Sequence, residues 1–235
     1  IALTESLKKQ LSLINKTAFK DGKKLKVSRF NSGVFDDLEK NGSEIKSDRQ
    51  YQDLKKRLDE ASAYTPMPPK NLNAVLRDYQ EEGFEWMMRL AFWGAGAVLA
   101  DDMGLGKTMQ VLGLISGVKN AYGEKDMNSV LVVAPVSLLA NWESEFIHFV
   151  KEGVFEEIVP LYGNSFRDFK RGHDLRLDFS PVAKNRIVLT SYETLRNYDI
   201  SFGCIDWSFM VLDEAQKIKN PVTLITNAVK SMKYD

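Results

Sequence analysis

The stretch Asp101-Asp102-Met103-Gly104-Leu105-Gly106-Lys107-Thr108 carries the strongest structural signal in the chain. Apolar residues precede it and predict a buried strand over 97–100, and a helical pattern follows it over Lys107–Tyr122. At such a junction, glycines let several backbone N–H groups face an anion, and the start of the helix favours negative charge. A lysine followed by a threonine is the pair that contacts outer phosphates and magnesium. The stretch therefore predicts a phosphate-binding loop.

The loop departs from the strict phosphate-loop pattern at its first position, where Asp101 stands in place of a glycine. A dinucleotide-binding loop is excluded by spacing, because Met109 occupies the position of the third glycine of that fingerprint. The sequence also lacks the catalytic-loop and metal-binding motifs of protein kinases. A glycine-rich turn without a ligand is the plain alternative. The Lys-Thr pair and the flanking elements favour nucleoside triphosphate binding over that alternative.

A second candidate for the same site lies far along the chain, where the predicted strand Phe209–Leu212 ends in Asp213 and Glu214. A carboxylate at the end of a neighbouring strand holds magnesium in phosphate-loop enzymes, directly or through water. Asp213 fits that role, and Glu214 fits a general base that activates the attacking water. Two solvated acids that merely end a strand are the alternative. The pairing with an upstream phosphate loop favours the functional interpretation.

The chain of 235 residues is 44% hydrophobic and 27% charged, which is typical of a globular protein with a sizeable core. A small, mainly helical N-terminal region with a proline-containing linker is predicted at 1–70, with helices at 3–19 and 49–63 and a short strand at 25–30. In 71–235, strands alternate with helices, which indicates an α/β fold: a parallel sheet with helices on both faces. The predicted strands are 97–100, 130–134, 157–161, 186–190 and 209–212. The predicted helices are 72–93, 107–122, 138–150, 166–170, 192–197 and 222–232.

Bulk properties narrow the functional classes. The formal net charge is zero, which argues mildly against a nucleic-acid-binding protein. The single cysteine, Cys204, excludes an internal disulfide and is predicted to be a small packed residue. His148 and His173 are far apart and lack cysteine partners, so a structural zinc site is not expected. No apolar run reaches the length of a membrane span, and the first residues do not resemble a signal peptide. The chain begins with Ile1, and we interpret it as part of a longer protein.

Two motifs together resemble those of a known family. Residues 101–108, followed by Gln110, resemble the first motif of the SWI/SNF-type helicase-like ATPases, superfamily-two DNA translocases in which an acidic residue replaces the first glycine. Residues 213–216, Asp-Glu-Ala-Gln, continue with Lys-Ile-Lys-Asn and resemble the second motif, in a form similar to microbial members. The resemblance covers 71–235 and implies that this region is a RecA-like phosphate-loop lobe.

The resemblance also implies roles for the residues of an ATP and Mg²⁺ site. Residues 76–80 resemble the segment that recognises adenine, with the amide of Gln80 pairing with two edge atoms of the base, as amides do in nucleic-acid readout. The implied ATP-binding residues are Gln80, Arg77, Asp102, Met103, Gly104, Leu105, Gly106, Lys107 and Thr108. The implied magnesium ligands are Thr108 and Asp213. The implied catalytic residues are Glu214, which would activate water, Lys107, and Gln216, which would couple the site to another lobe.

Two further segments resemble the family's nucleic-acid-contacting motifs: residues 134–142 and residues 189–193. Within them the predicted nucleic-acid contacts are Ser137, Asn141, Thr190 and Ser191. Short hydroxyl and amide groups near helix starts suit phosphate oxygens, but they suit helix capping equally well. Trp142 is predicted to be a core residue rather than a base-stacking platform.

The resemblance implies the first of two motor lobes of an ATP-dependent double-stranded DNA translocase. The sequence stops at Asp235, before the family's Thr- and Gly-rich motif, and it has no second RecA-like lobe. That lobe supplies arginines worth about three to five orders of magnitude in rate. We therefore expect hydrolysis only when a second lobe completes the site. The expected partners are double-stranded DNA or a protein–DNA complex and that second lobe, with no membrane. The expected location is cytoplasmic, and nucleoid-associated if the source is bacterial.

Two other functional classes remain as alternatives. A nucleotide-dependent switch would bind ATP without being a motor, and it would not need the nucleic-acid motifs near Ser137 and Thr190. A non-catalytic interaction module would carry a vestigial loop. The intact Lys107, Asp213 and Glu214 argue against such decay.

Overall fold

The structure is a computed structural model of the chain. It describes residues 48–102, 104–122, 127–163 and 177–234, together with residues 8, 12, 14–16, 18–21, 24–27, 35, 38, 165 and 169. The chain divides into two compact units, residues 1–64 and residues 65–235, so the division falls a few residues before the predicted boundary after residue 70.

The described residues of the N-terminal unit include a short antiparallel pair of strands, β1 (Ala18–Asp21) and β2 (Lys24–Val27), and the helix α1 (Arg49–Ala63). The helix predicted at 49–63 is confirmed. Of the helix predicted at 3–19, the described residues 8, 12 and 14–16 are helical, but its last two residues pair in β1 instead. The other residues of that prediction lie outside the described ones. The predicted strand 25–30 begins one residue earlier, in β2, and its last three residues are not described.

The larger unit is built on a sheet of four parallel strands, in the order β4-β5-β3-β7. Two further short strands, β6 and β8, pair in parallel with each other. The predicted parallel α/β fold is therefore confirmed, and four of the predicted strands occur at or within one residue of their expected bounds. The strands are β3 (Val130–Ala134), β4 (Glu157–Leu161), β5 (Arg186–Ser191), β6 (Asp206–Trp207), β7 (Phe209–Leu212) and β8 (Lys233–Tyr234).

Helices cover both faces of this sheet. Successive side chains of a strand point to opposite faces, so Leu131 and Val133 pack on one face and Val130, Val132 and Ala134 on the other. Helices α3 and α4 pack against the second group, and α5, α6 and α7 against the first. The helices of this unit are α2 (Asp78–Trp93), α3 (Lys107–Tyr122), α4 (Val136–Phe149), α5 (Tyr192–Asn197), α6 (Asp199–Phe202) and α7 (Leu224–Lys230).

Side-chain caps fix where three helices begin. Asp48, Ser191 and Thr223 each accept a hydrogen bond from the N–H of the third residue along, which satisfies a donor that the first turn leaves unpaired. Helix α4 begins two residues before its predicted start, directly after Pro135. The predicted helix 166–170 lies outside the described residues apart from Phe169. No helix in the described part of the chain is long and apolar enough to cross a membrane.

Two predictions for the larger unit are wrong, and the helix predicted at 72–93 begins only at Asp78. Residues 97–100 form no strand: Val98 is 81% exposed, and the segment leaves α2 through Gly94, which has a left-handed φ of 77°. An apolar run becomes a strand only where a neighbouring strand pairs with its backbone, and within the described sheet β7 pairs with β3 alone. Cys204 is exposed rather than packed, because it follows the end of α6 in a turn.

Candidate functional site

The loop 101–108 has the backbone that the sequence predicts. Gly104 and Gly106 adopt left-handed φ values of 84° and 71°, which only glycine adopts without strain, and α3 begins directly afterwards at Lys107. The Lys107 ammonium reaches back over the loop and donates hydrogen bonds to the carbonyl oxygens of Asp101 and Asp102, at 2.8 and 2.9 Å. The loop therefore presents a positive charge and the open N-terminus of α3 at one place, which suits an anion.

Gln80 contacts the loop at Leu105. The side chain is 8% exposed, and its Oε1 accepts the backbone N–H of Arg77 at 3.0 Å. Its Nε2 donates to the carbonyl oxygen of Leu105 at 3.2 Å. A Cβ on Gly106 would collide with this Nε2, so glycine is required there for close approach as well as for its φ. Gln80 thus connects the start of α2 to the loop; its contact with adenine stays a prediction.

The buried side chain of Gln110 explains the unusual Asp101. Its Nε2 donates to the Asp101 carboxylate at 3.1 Å, and its Oε1 has no hydrogen-bond partner. Gln110 lies so close to Gly83 of α2 that a Cβ on this glycine would collide with Oε1. The acidic residue at the first loop position is therefore anchored to α3 by an amide. Gln110 belongs to the first sequence motif, but its contacts with Asp101 and Gly83 are visible only in the structure.

Asp213, directly after β7, is held through both its backbone and its side chain. Its N–H donates to the carbonyl oxygen of Val133, and its carbonyl oxygen accepts the Tyr192 hydroxyl at 2.7 Å. One carboxylate oxygen accepts the indole N–H of Trp142 at 2.8 Å, and the other accepts the N–H of Glu214 at 2.9 Å. Each carboxylate oxygen keeps a lone pair beyond these bonds, so Asp213 can still bind a cation.

Glu214 has a strained backbone. Its φ of 53° is in the left-handed region, which costs a non-glycine residue on the order of 1 kcal/mol and is found preferentially at functional sites. This turn leads into a short 3₁₀ helix, Ala215–Ile218, and the Gln216 amide donates to the Glu214 carboxylate. The acids also affect their neighbours. Burial, and secondarily Asp213 and Glu214, raises the pKa of the Tyr192 hydroxyl well above its usual range. Burial, and secondarily Asp213, raises the pKa of Glu145.

The four predicted nucleic-acid contacts divide into two kinds. Ser137 and Asn141 are exposed and lie four residues apart on α4, so they share one face, and neither caps the helix. Thr190 is fully buried and donates to the carbonyl oxygen of Leu161, whereas Ser191 is 2% exposed and caps α5. In this structure the hydroxyls of Thr190 and Ser191 therefore serve the fold rather than the surface. Trp142 is 5% exposed, which confirms it as a core residue.

The donor set suits magnesium held largely by phosphate. Within the described residues, no three His, Cys, Asp or Glu side chains lie together as a metal site. Magnesium commonly takes one or two carboxylates and completes its shell with water and substrate phosphates, which needs no such cluster. Thr108 is partly buried in the first turn of α3. The hydrogen bonds of Asp213 and Glu214 given above go to neighbours other than the loop 101–108. Met103 lies outside the described residues.

A glycine-bent loop at a helix start, with an acid pair at the end of a parallel strand, defines a phosphate-loop nucleotide-binding lobe of the RecA-like class. The chain belongs to one family within this class: residues 79–235 match the SNF2-related domain. The sequence-based recognition of the SWI/SNF family is thereby confirmed.

Named relatives support the same assignment. The chain is 38% identical over 173 residues to the Zorya protein ZorD of Escherichia coli, covering 67% of this chain and 16% of that protein. It is 34% identical over 187 residues to the DNA excision repair protein ERCC-6-like 2 of Mus musculus, covering 70% and 12%. A solved structure, the Sulfolobus solfataricus SWI2/SNF2 ATPase core in complex with dsDNA, matches with a TM-score of 0.60 and 34% identity, covering 73% and 32%. The chain therefore spans a minor part of these relatives.

Proposed function

We propose that this chain is the ATP-binding lobe of an ATP-dependent double-stranded DNA translocase. The observation that carries the proposal is the combination of the lysine-bearing loop at the start of α3 with the held acid Asp213 and the strained Glu214 after β7. Membership of the SNF2-related family supports ATP use. The similarity to an ATPase core solved with double-stranded DNA, and the exposed pair Ser137 and Asn141 on α4, support the choice of nucleic acid.

Each side chain of the site has one task in this proposal. Gln80 and Arg77 contact the adenine end of ATP, and Gly104, Gly106 and Lys107 hold its phosphates. Thr108 and Asp213 would hold Mg²⁺, which supplies charge neutralisation at the transferred phosphate.

Glu214 acts as general base toward the attacking water. A carboxylate within reach of that water accepts its proton as the oxygen bonds to phosphorus. The left-handed backbone of Glu214 turns the chain after β7 into the 3₁₀ helix Ala215–Ile218. Gln216, whose amide donates to the Glu214 carboxylate, would couple that acid to another lobe.

A second lobe completes the reaction in this proposal. Arginines supplied from outside a phosphate loop contribute about three to five orders of magnitude in rate. The 235-residue chain alone is therefore expected to bind ATP and to hydrolyse it negligibly, with or without DNA. Brisk DNA-stimulated turnover by the purified chain would contradict this expectation.

A nucleotide-dependent switch is the second candidate function, and one observation favours it. Thr190 and Ser191 turn their hydroxyls inward, so half of the predicted nucleic-acid contacts are used within the fold. A switch would bind ATP at the same loop but would respond to a partner other than DNA.

The experiment that separates these candidates is an ATPase assay of the full-length protein with double-stranded DNA, single-stranded DNA, RNA and no nucleic acid. We expect the largest stimulation with double-stranded DNA. Replacing both Ser137 and Asn141 by alanine should reduce that stimulation while leaving basal turnover unchanged, and replacing the exposed Lys230 of α7 by alanine is the control. Equal turnover under all four conditions would favour the switch.

A further inference from the structure

Trp142 and Tyr192 donate hydrogen bonds to the same residue, Asp213, from opposite faces of the sheet. Trp142 belongs to the apolar cluster under α3 and α4, and Tyr192 belongs to the cluster under α5 to α7. The indole N–H of Trp142 donates to the Asp213 carboxylate at 2.8 Å, and the Tyr192 hydroxyl donates to the Asp213 carbonyl oxygen at 2.7 Å. One aromatic therefore orients the side chain of Asp213, and the other fixes its backbone.

The parallel register brings these partners together. Val133 of β3 pairs with Leu212 of β7, so the residue after each strand reaches the same edge of the sheet. Helix α4 starts at this edge with Val136, and its second turn places Trp142 over Asp213. Both aromatics are almost fully buried, with 5% of Trp142 and 1% of Tyr192 exposed. Because both aromatic side chains are shielded from water, their hydrogen bonds to Asp213 form in a low-dielectric environment, where an unmade hydrogen bond is costly.

Each aromatic directly follows a predicted nucleic-acid contact: Asn141 precedes Trp142, and Ser191 precedes Tyr192. The two pairs differ in one respect. Asn141 is exposed on α4 beside Ser137, whereas Ser191 is buried as the cap of α5. A contact that shifts or rotates α4 from its exposed face must move Trp142 on its buried face, because a helix moves as one rigid element.

We infer that Trp142 is a positioning residue that links the exposed face of α4 to Asp213, and that Tyr192 anchors the backbone of Asp213 against that movement. The inference rests on the proposed function, because it requires that Asp213 binds Mg²⁺ and that nucleic acid contacts α4. Nucleic-acid binding at Ser137 and Asn141 then changes how Asp213 presents its carboxylate to Mg²⁺-ATP. Coupling of this kind is reciprocal, so Mg²⁺-ATP also changes the affinity for nucleic acid.

The first measurement is nucleotide binding, which requires no turnover. A fluorescent ATP analogue is titrated into the 235-residue chain with Mg²⁺ and with EDTA, and the ratio of the two affinities is taken. Partners that orient a metal-binding side chain typically change metal affinity by about ten- to a hundredfold. Trp142→Phe keeps an aromatic ring and removes the N–H, so we expect it to reduce the ratio by about tenfold.

Trp207→Phe is the matched control. Trp207 is also fully buried, and its N–H donates to the carbonyl oxygen of Phe202 at 3.1 Å, on the face away from α4. This variant should lose comparable packing and leave the Mg²⁺ ratio unchanged. Equal ratios for Trp142→Phe and wild type, or equal losses for Trp142→Phe and Trp207→Phe, would overturn the inference.

The second measurement is DNA stimulation of ATPase activity in the full-length protein, with a mixed-sequence duplex as the probe. Trp142→Phe should lower the ratio of stimulated to basal turnover, whereas Trp207→Phe should not. Tyr192→Phe removes one oxygen atom and should reduce the Mg²⁺ ratio while keeping more of the stimulation. It keeps the inference testable if Trp142→Phe does not fold: an unchanged Mg²⁺ ratio for Tyr192→Phe then overturns it.

The two hypotheses fail in different ways. A wild-type protein that DNA does not stimulate contradicts the proposed translocase, whatever the variants do. A wild-type protein that is stimulated, with Trp142→Phe stimulated to the same degree, contradicts the link through Trp142 and leaves the translocase standing.

Discussion

Replacing Gly83 by alanine tests whether Gln110 is held as tightly as the structure shows. Gly83 lies inside α2, where alanine normally stabilises a helix by about 1 kcal/mol relative to glycine. A Cβ at this position, however, would overlap Oε1 of Gln110 and lie 3.1 Å from its Cδ. The amide is the end of a flexible side chain, so the overlap is relieved by moving Gln110.

That movement has a definite energetic consequence. Gln110 is fully buried, and shifting it breaks the 3.1 Å hydrogen bond to the Asp101 carboxylate. A hydrogen bond to a charged group contributes about 1.5–3 kcal/mol, near the lower end for a carboxylate as exposed as Asp101, and a side chain forced off its rotamer costs about 1 kcal/mol more. After the helix gain of about 1 kcal/mol, the net effect is a destabilisation of about 1.5 kcal/mol.

The assay is urea unfolding of the chain, and Gly113→Ala is the control. Gly113 lies inside α3, where its Cβ would meet Phe84 at 3.4 Å, an ordinary contact. Gly113→Ala should be neutral or stabilising by up to about 1 kcal/mol, so the two identical substitutions should differ by about 2 kcal/mol. If Gly83→Ala also costs nothing, Gln110 is not held as described. In a Gln110→Ala background the cost of Gly83→Ala should vanish.

Three further substitutions test the site. Lys107→Ala should weaken binding of a fluorescent ATP analogue and abolish ATPase activity of the full-length protein, because the loop loses its positive charge; unchanged turnover would remove the phosphate-loop assignment. Glu214→Gln should keep nucleotide binding and stall hydrolysis, as measured by binding and single-turnover assays, and a loss of binding would instead make Glu214 structural. Asp101→Asn keeps an oxygen that accepts the hydrogen bond from Gln110, so the free energy of unfolding of this variant should stay within about 1 kcal/mol of the wild-type value. A much larger loss of stability would mean that the negative charge itself holds the loop.

Sequence patterns were sufficient for the centre of the sheet, because β3 is buried on both faces. Every residue of Val130–Ala134 is fully buried, so the run is continuously apolar and cannot be confused with an amphipathic helix. The loop was equally predictable, since its glycines serve backbone angles that other residues avoid. The strand predicted at 97–100 does not form, because hydrophobicity indicates a preference for burial and does not by itself supply the backbone pairing that a strand needs.

Hydroxyl side chains were the least predictable part of the site. Thr190 ends the predicted strand 186–190, and Ser137 lies three residues beyond the predicted strand 130–134, yet both were predicted to contact nucleic acid. The structure separates them by register: Thr190 is still inside β5, opposite Leu161 of β4, and its hydroxyl meets that residue's carbonyl oxygen. Ser137 lies beyond the end of β3, in the first turn of α4, where its side chain faces outward. A difference of a few residues in position relative to the end of the strand thus determines whether a hydroxyl bonds within the fold or is exposed.

The partners of Asp213 show why a site is harder to predict than a fold. Trp142 is 71 residues from Asp213 and Tyr192 is 21, and no periodicity in the sequence relates these positions. They are related by the register of the parallel strands β3, β5 and β7, which end at the same edge of the sheet. Helix α4, helix α5 and Asp213 therefore all begin at that edge. A prediction from sequence patterns finds the strands but not their register. It therefore assigns Trp142 to the core but does not find its hydrogen bond to Asp213. The same burial that makes Trp142 a core residue also makes its single N–H available to one acceptor only, and that acceptor is the carboxylate on which we expect the chemistry to depend.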